Sequence, residues 1–86
     1  MKQLEVLVLT QDDCTFCDAA IAMLERLSTE FPLAISTLSL ASNEGQAIAL
    51  KRGILFPPGI LVDGEALCYG RPSENRLRRA FERKLT

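Results

Sequence analysis

The stretch that most constrains this chain is Cys14-Thr15-Phe16-Cys17, because it joins a strand-like run to a helix-like one. Upstream, Leu4-Glu5-Val6-Leu7-Val8-Leu9 is aliphatic and partly β-branched, long enough for a buried strand and too short for a membrane span. Downstream, Cys17, Ile21, Leu24 and Leu27 recur at helical spacing, with Asp18, Glu25 and Arg26 between them. The first cysteine therefore falls at a strand-to-helix turn, where free N–H groups and the positive end of the helix dipole favour a thiolate. Cys17 follows on the same helical face, within disulfide reach of its partner. One sulfur is placed to attack and the other to resolve.

A chain of 86 residues has room for one domain over residues 1–86, and 48% apolar content supplies a small core. A formal net charge of −1 argues against nucleic-acid binding, which needs a broadly basic surface. The charge is nevertheless uneven: acids prevail in the first thirty residues, while Arg71, Arg76, Arg78, Arg79, Arg83 and Lys84 crowd the C-terminal end. That end is either a solvated helix whose cations complement its own dipole or a docking patch for an acidic partner. An odd number of cysteines does not make a secreted disulfide framework, and the first residues lack a signal-peptide pattern, so a cytoplasmic location is expected. No apolar run approaches the roughly 20 residues that cross a bilayer, so no membrane partner is expected. Histidine is absent, which removes Cys-His and Ser-His-Asp catalysis and the commonest metal ligand. No metal and no cofactor are expected, and the chain is read as a monomer.

In chain order, Thr10-Gln11-Asp12-Asp13 is turn-prone, and Asp13 or its neighbour is expected to cap a helix that starts around Cys14. That helix is expected to run to about Glu30, because Pro32 excludes Phe31 from helical geometry. Leu33–Leu40 reads as a second strand, with Leu38 and Leu40 on one face and Thr37 and Ser39 on the other. Ser42 or Asn43 then opens a short helix carrying Ala47, Ile48 and Leu50, closed by Gly53. Two strands joined through a helix form a right-handed βαβ unit, so the first two strands are parallel neighbours. After Phe56-Pro57-Pro58-Gly59, the run Ile60-Leu61-Val62 resumes as a strand, Asp63-Gly64 is a hairpin signal, and Glu65–Tyr69 returns antiparallel. Gly70-Arg71-Pro72 breaks the strand, and Ser73 caps a last helix with Leu77, Ala80, Phe81 and Leu85 on its apolar stripe. The chain thus reads as α/β, βαβαββα, one mixed four-stranded sheet with helices packed on it.

Three features at mutually consistent places make this sequence resemble the thioredoxin-like superfamily in its small, glutaredoxin-sized form. They are Cys14-Thr15-Phe16-Cys17 after the first strand, Pro58-Gly59-Ile60-Leu61-Val62-Asp63-Gly64 around the third, and Gly70 before a capped terminal helix. The resemblance covers essentially the whole chain. It implies a sheet order 2-1-3-4 with helices on both faces, and a cis proline across from the cysteine pair that shapes the groove a substrate disulfide enters. Pro58 is the preferred cis residue and Pro57 the other candidate. It further implies that Pro57 and Pro58 bind substrate beside a catalytic Cys14 and Cys17. Between the cysteines, Thr15 and Phe16 are also read as substrate-binding, Thr15 through a local hydroxyl contact and Phe16 as an exposed apolar contact, the alternative for Phe16 being packing over the adjacent loop.

The sequence also departs from that pattern. The residue before the cis proline usually offers both N–H and C=O to an extended substrate or to glutathione, and Pro57 has no N–H. The acidic pair that holds the glutathione amine after a Gly-Gly has no counterpart in Gly70-Arg71-Pro72-Ser73. Both departures argue against a glutathione grip. Asp13 stands where an aromatic residue often precedes the first cysteine, and Val8 where thioredoxins keep a buried acid.

The chemistry expected is thiol-disulfide exchange, with Cys14 as nucleophile and Cys17 as resolving thiol, acting as a reductant of protein disulfides. Its partners are then a disulfide-containing protein and an electron donor, either a reductase or a thiol. Helix N–H groups lower the Cys14 pKa while Asp12 and Asp13 raise it, and sequence alone does not rank the two. Cys68 is expected to be a packed core thiol. Two other readings stay open: a metal or iron-sulfur carrier through a Cys-x-x-Cys site shared in a dimer, and a non-catalytic binding module on the same fold.

Overall fold

In the computed structural model, which describes residues 3–86, the first aliphatic run forms β1 (Leu4–Thr10) near the middle of a four-stranded sheet ordered β2-β1-β3-β4. The helix α1 (Thr15–Leu27) leads to β2 (Leu33–Ser39), which pairs with β1 in parallel from Leu4↔Leu33 to Thr10↔Ser39. After α2 (Asn43–Arg52) the chain enters β3 (Gly59–Val62), antiparallel to β1, and turns through Asp63-Gly64 into β4 (Glu65–Tyr69) before α3 (Glu74–Leu85). Both turn residues take positive φ, 51° at Asp63 and 85° at Gly64, the conformation of a two-residue hairpin turn.

Alternation along β1 decides which helix packs where. Leu4, Val6 and Val8 point to one face, where Ala20, Leu24 and Leu27 of α1 meet Leu77 and Phe81 of α3. Leu7 and Leu9 point to the other face, where Leu61, Ile54, Ala49 and Ile48 gather under α2. Helices therefore cover both faces, as the resemblance implied. Arg26–Glu74 (2.7 Å) and Arg78–Glu30 (2.6 Å) tie α1 and the turn that follows it to α3 on the surface, where such pairs add little to stability.

Two local expectations are corrected. The cap of α1 is Cys14 itself, whose Sγ accepts from the Cys17 N–H at 3.1 Å, while Asp13 turns the chain at φ 55°. The helix stops at Leu27 rather than near Glu30, because the Ser28 and Thr29 hydroxyls donate to the carbonyls of Glu25 and Arg26. The N–H groups of Thr29 and Glu30 are left with tighter three-residue bonds to Arg26 and Leu27. On α2, Leu50 and Ala47 face solvent, Leu50 at 87% exposure, because the buried side is set by Gly45 and Ala49 one turn apart.

Gly45 has a definite reason to lack a side chain. A Cβ there would drive into the backbone carbonyl oxygen of Ser39, the same group that accepts from the Ser42 hydroxyl at 2.6 Å. In an open helix, replacing glycine by alanine stabilises by up to about 1 kcal/mol. Here the sign reverses: Gly45→Ala is expected to lower stability by about 1–3 kcal/mol, the usual cost of overpacking, which denaturant melts read directly. An unchanged or higher midpoint would show that α2 is not held against the end of β2.

Candidate active site

The register gathers the motifs at one end of the sheet. Thr10 ends β1, and Leu9 pairs with Gly59, so the residue before β3 is Thr10's neighbour across the sheet. That residue is Pro58, joined to Pro57 by a cis peptide bond. Gly59 in turn pairs with Tyr69, and the Pro58 carbonyl accepts from the Gly70 N–H at 2.9 Å. The β1–α1 turn with its cysteines, the Pro57-Pro58 loop and the β4 end at Tyr69-Gly70 thus share one rim. The cis residue is the one preferred from the sequence.

Cys14 and Cys17 are joined as a disulfide, with their Cα atoms 5.2 Å apart, within the ordinary span for such a bond. Their environments differ. Cys14 is half-buried at the start of α1, whereas Cys17 is 2% exposed on the core side of the first turn. An external disulfide can therefore approach Cys14, and only the Cys14 sulfur has access to Cys17. The N-cap contact from the Cys17 N–H aims a backbone donor at the Cys14 sulfur, and this stabilises a thiolate when the bond is open. Asp12, Asp13 and Asp18 stand exposed around the same turn.

Thr15 is exposed at the first position of α1, and Phe16 is 47% exposed beside the pair. Pro58 is buried and Pro57 half-buried, so the loop is a fixed wall of the rim. Pro57 supplies a carbonyl there and no N–H.

The structure adds a feature absent from the sequence reading. Phe56 lies against Tyr69 edge-to-face, ring centroids 5.0 Å apart at 88°, and Leu55 beside it is 74% exposed. The hydrophobic residues at 55 and 56 ahead of two prolines were the available signal. Gly70 underlies this pair: its φ is 81°, and a Cβ there would fall 2.6 Å from the Phe56 ring. With Phe16, these residues give the rim an apolar surface.

Cys68 lies apart from the pair, half-buried on β4 opposite Ile60. Burial pushes its thiol above the ordinary range, against the pull of the nearby Arg76 guanidinium, so it stays protonated at neutral pH. Among the described residues, no three His, Cys, Asp or Glu side chains converge as a metal site, and no helix is long and apolar enough to cross a membrane.

No protein-family model matches the chain. It is 26% identical over 85 residues to a thioredoxin of Methanocaldococcus jannaschii, an alignment spanning 99% of this chain and all of that protein. Among solved structures, a mutant thioredoxin from Halobacterium salinarum superposes with a TM-score of 0.72 at 22% identity, covering 95% of this chain and 74% of that one. A malarial protein matches with a TM-score of 0.72 at 19% identity, over 99% of this chain and the full length of that one. The fold is thioredoxin-like, and the Cys-x-x-Cys pair occupies the start of its first helix.

Proposed function

We propose that this thioredoxin-like protein is a dithiol-disulfide oxidoreductase that reduces disulfides of other proteins and makes little use of glutathione. The observation that carries the reading is the asymmetry of the pair: Cys14 reachable at a helix start, Cys17 buried behind it, and both on the rim walled by Pro58. In the reaction, the Cys14 thiolate attacks a substrate sulfur, forming a mixed disulfide and expelling the other substrate sulfur as thiolate. Cys17 then gives up its proton to solvent and attacks the Cys14 sulfur, closing the internal disulfide and releasing the second substrate sulfur. The substrate gains two electrons and two protons. A donor thiol or a reductase supplies two electrons to reopen the pair.

Protein rather than glutathione disulfides are favoured for two reasons. Pro57 offers an incoming backbone one carbonyl and no donor, which weakens the grip on a short peptide. The exposed Phe16, Leu55, Phe56 and Tyr69 instead reward a large apolar contact. A monomer in a reducing compartment such as the cytosol fits this role, since the pair must be returned to the dithiol form.

The test sets an unfolded, disulfide-bonded protein against a mixed disulfide of glutathione and a small thiol, with dithiothreitol as electron donor. Turnover is expected on the protein substrate, with a kcat/KM at least about tenfold above that on the glutathione compound, equivalent to roughly 1.4 kcal/mol of lost binding. Equal or preferred use of the glutathione compound would refute the substrate assignment. Failure on both would favour a binding module.

A further inference from the structure

β4 is an edge strand of the sheet, and its outer side is open. Because the Gly70 N–H is donated to Pro58, the alternation of an antiparallel ladder turns the N–H and C=O of the preceding residue, Tyr69, away from β3. A bulge between Ile60 and Leu61 leaves Leu67 without a β3 partner as well. Among the described residues, nothing outside β3 bonds to this strand's backbone. At the hairpin end the edge is guarded, since Lys84 reaches Glu65 at 3.2 Å. At the Tyr69 end it is not.

Two arginines flank that open end. A cleft of about 320 Å³ runs along Leu67, Cys68 and Tyr69, with Arg52 from the last turn of α2 on one side and Arg76 from the first turn of α3 on the other. Neither is in an ion pair among the described residues, whereas Arg26, Arg78 and Lys84 all are. Helix self-stabilisation does not explain Arg76. It stands three residues after the Ser73 cap, where a capping box would carry Glu or Gln and where the helix dipole disfavours a cation. A second cleft continues from Ala66 and Leu67 past Ala80 to Arg83. Arg83 lies two turns from Arg76, about 10 Å along the helix, the length of roughly three strand residues.

We infer that the open edge of β4, between Arg52 and Arg76, docks an extended acidic segment of a partner protein as a fifth strand. Backbone pairing at Leu67–Tyr69 supplies the alignment, and the two guanidinium groups select acidic side chains. The strand would end at Tyr69, on the rim that carries the cysteines. A nucleic acid is the poorer occupant, because Asp12, Asp13 and Asp18 crowd that rim and the chain's net charge is −1.

The test titrates the full chain, labelled with nitrogen-15, with an end-capped nonapeptide of alternating Glu and Thr. Controls are the same peptide with Lys for Glu, the acidic peptide with proline at its central position, and a single-stranded oligonucleotide. The acidic peptide is expected to move the amide signals of Leu67–Tyr69 and to bind more weakly as salt rises. Arg52→Gln and Arg76→Gln are each expected to weaken it about threefold while leaving signals far from the edge in place, which separates lost binding from lost folding. Proline is expected to abolish the effect, because strand pairing needs its missing N–H. Equal binding of the basic or proline peptide or of the oligonucleotide, shifts concentrated away from β4, or no shift at millimolar acidic peptide would each overturn the proposal.

Discussion

Cys17→Ser is expected to convert the protein from a turnover catalyst into a trap that accumulates a covalent adduct with its substrate through Cys14. Cys14→Ser is expected to reduce disulfide exchange to the uncatalysed rate. The two substitutions differ because the two sulfurs have different access. Cys17 is 2% exposed behind its partner, so a Cys14→Ser protein presents no thiol of the pair to an external disulfide. With Cys17 replaced, the first exchange still occurs at the half-buried Cys14, but the hydroxyl left behind is not acidic enough to displace the substrate sulfur. Non-reducing electrophoresis after mixing with an oxidised protein substrate reads both outcomes. Adducts formed by Cys14→Ser, or none formed by Cys17→Ser, would reverse the assignment of roles. Cys68 provides an internal control, since its protonated thiol, set back on β4, is expected to take no part.

Phe81→Ala is expected to cost about 3–5 kcal/mol, the range for truncating a buried aromatic side chain. Phe81 is wholly buried and stands at the junction of α3 with the sheet, grouped with Leu4, Val6, Val8 and Leu77 and with its ring centroid 5.8 Å from that of Phe31. It belongs to the core cluster between the sheet, α1 and α3 rather than to the exposed rim, so the loss is one of folding rather than chemistry. Small domains carry only about 5–15 kcal/mol of net stability, and the substitution therefore removes a large share of what holds α3 in place. Leu85→Ala, on the same stripe but half-buried at the helix end, is expected to cost much less. Guanidinium melts of the two variants measure the difference, and a cost below about 1 kcal/mol for Phe81→Ala would show that α3 is not packed as described.

The sheet order and the helices on both faces were legible through the resemblance to thioredoxin-like proteins, and β1 supplies the physical reason for the second. Leu4, Val6 and Val8 alternate with Leu7 and Leu9, and a strand apolar on both sides demands cover on both faces. Asp63-Gly64 and Gly53 were equally plain, since their positive φ values match the turn chemistry of those residue types. Local hydrogen bonds that compete with periodicity were harder to see. The early stop of α1 comes from the Ser28 and Thr29 hydroxyls, and the capping role of the Cys14 sulfur displaces an aspartate that looks better suited to it. The facing of α2 was not legible, because that helix is oriented by Gly45, a residue whose importance lies in having no side chain. At the site, the cysteines and the prolines were legible as a motif, but the Phe56–Tyr69 contact joins residues thirteen apart across a hairpin and emerges only from the β3–β4 register. Arg76 of the β4 edge was visible in the C-terminal charge cluster, whereas nothing in the sequence singled out Arg52, and sorting the paired from the unpaired required the fold.

The central claim is that Cys14 and Cys17 form a reversible dithiol, and a redox titration of the purified protein in dithiothreitol buffers tests it most directly. Thiols are trapped with an alkylating reagent, and each cysteine is assigned by peptide mass. The account predicts a single two-electron transition confined to Cys14 and Cys17, near the roughly −270 mV of thioredoxins, with Cys68 remaining a thiol throughout. A pair that never closes, or one that closes only with Cys68 or between two chains, would contradict it.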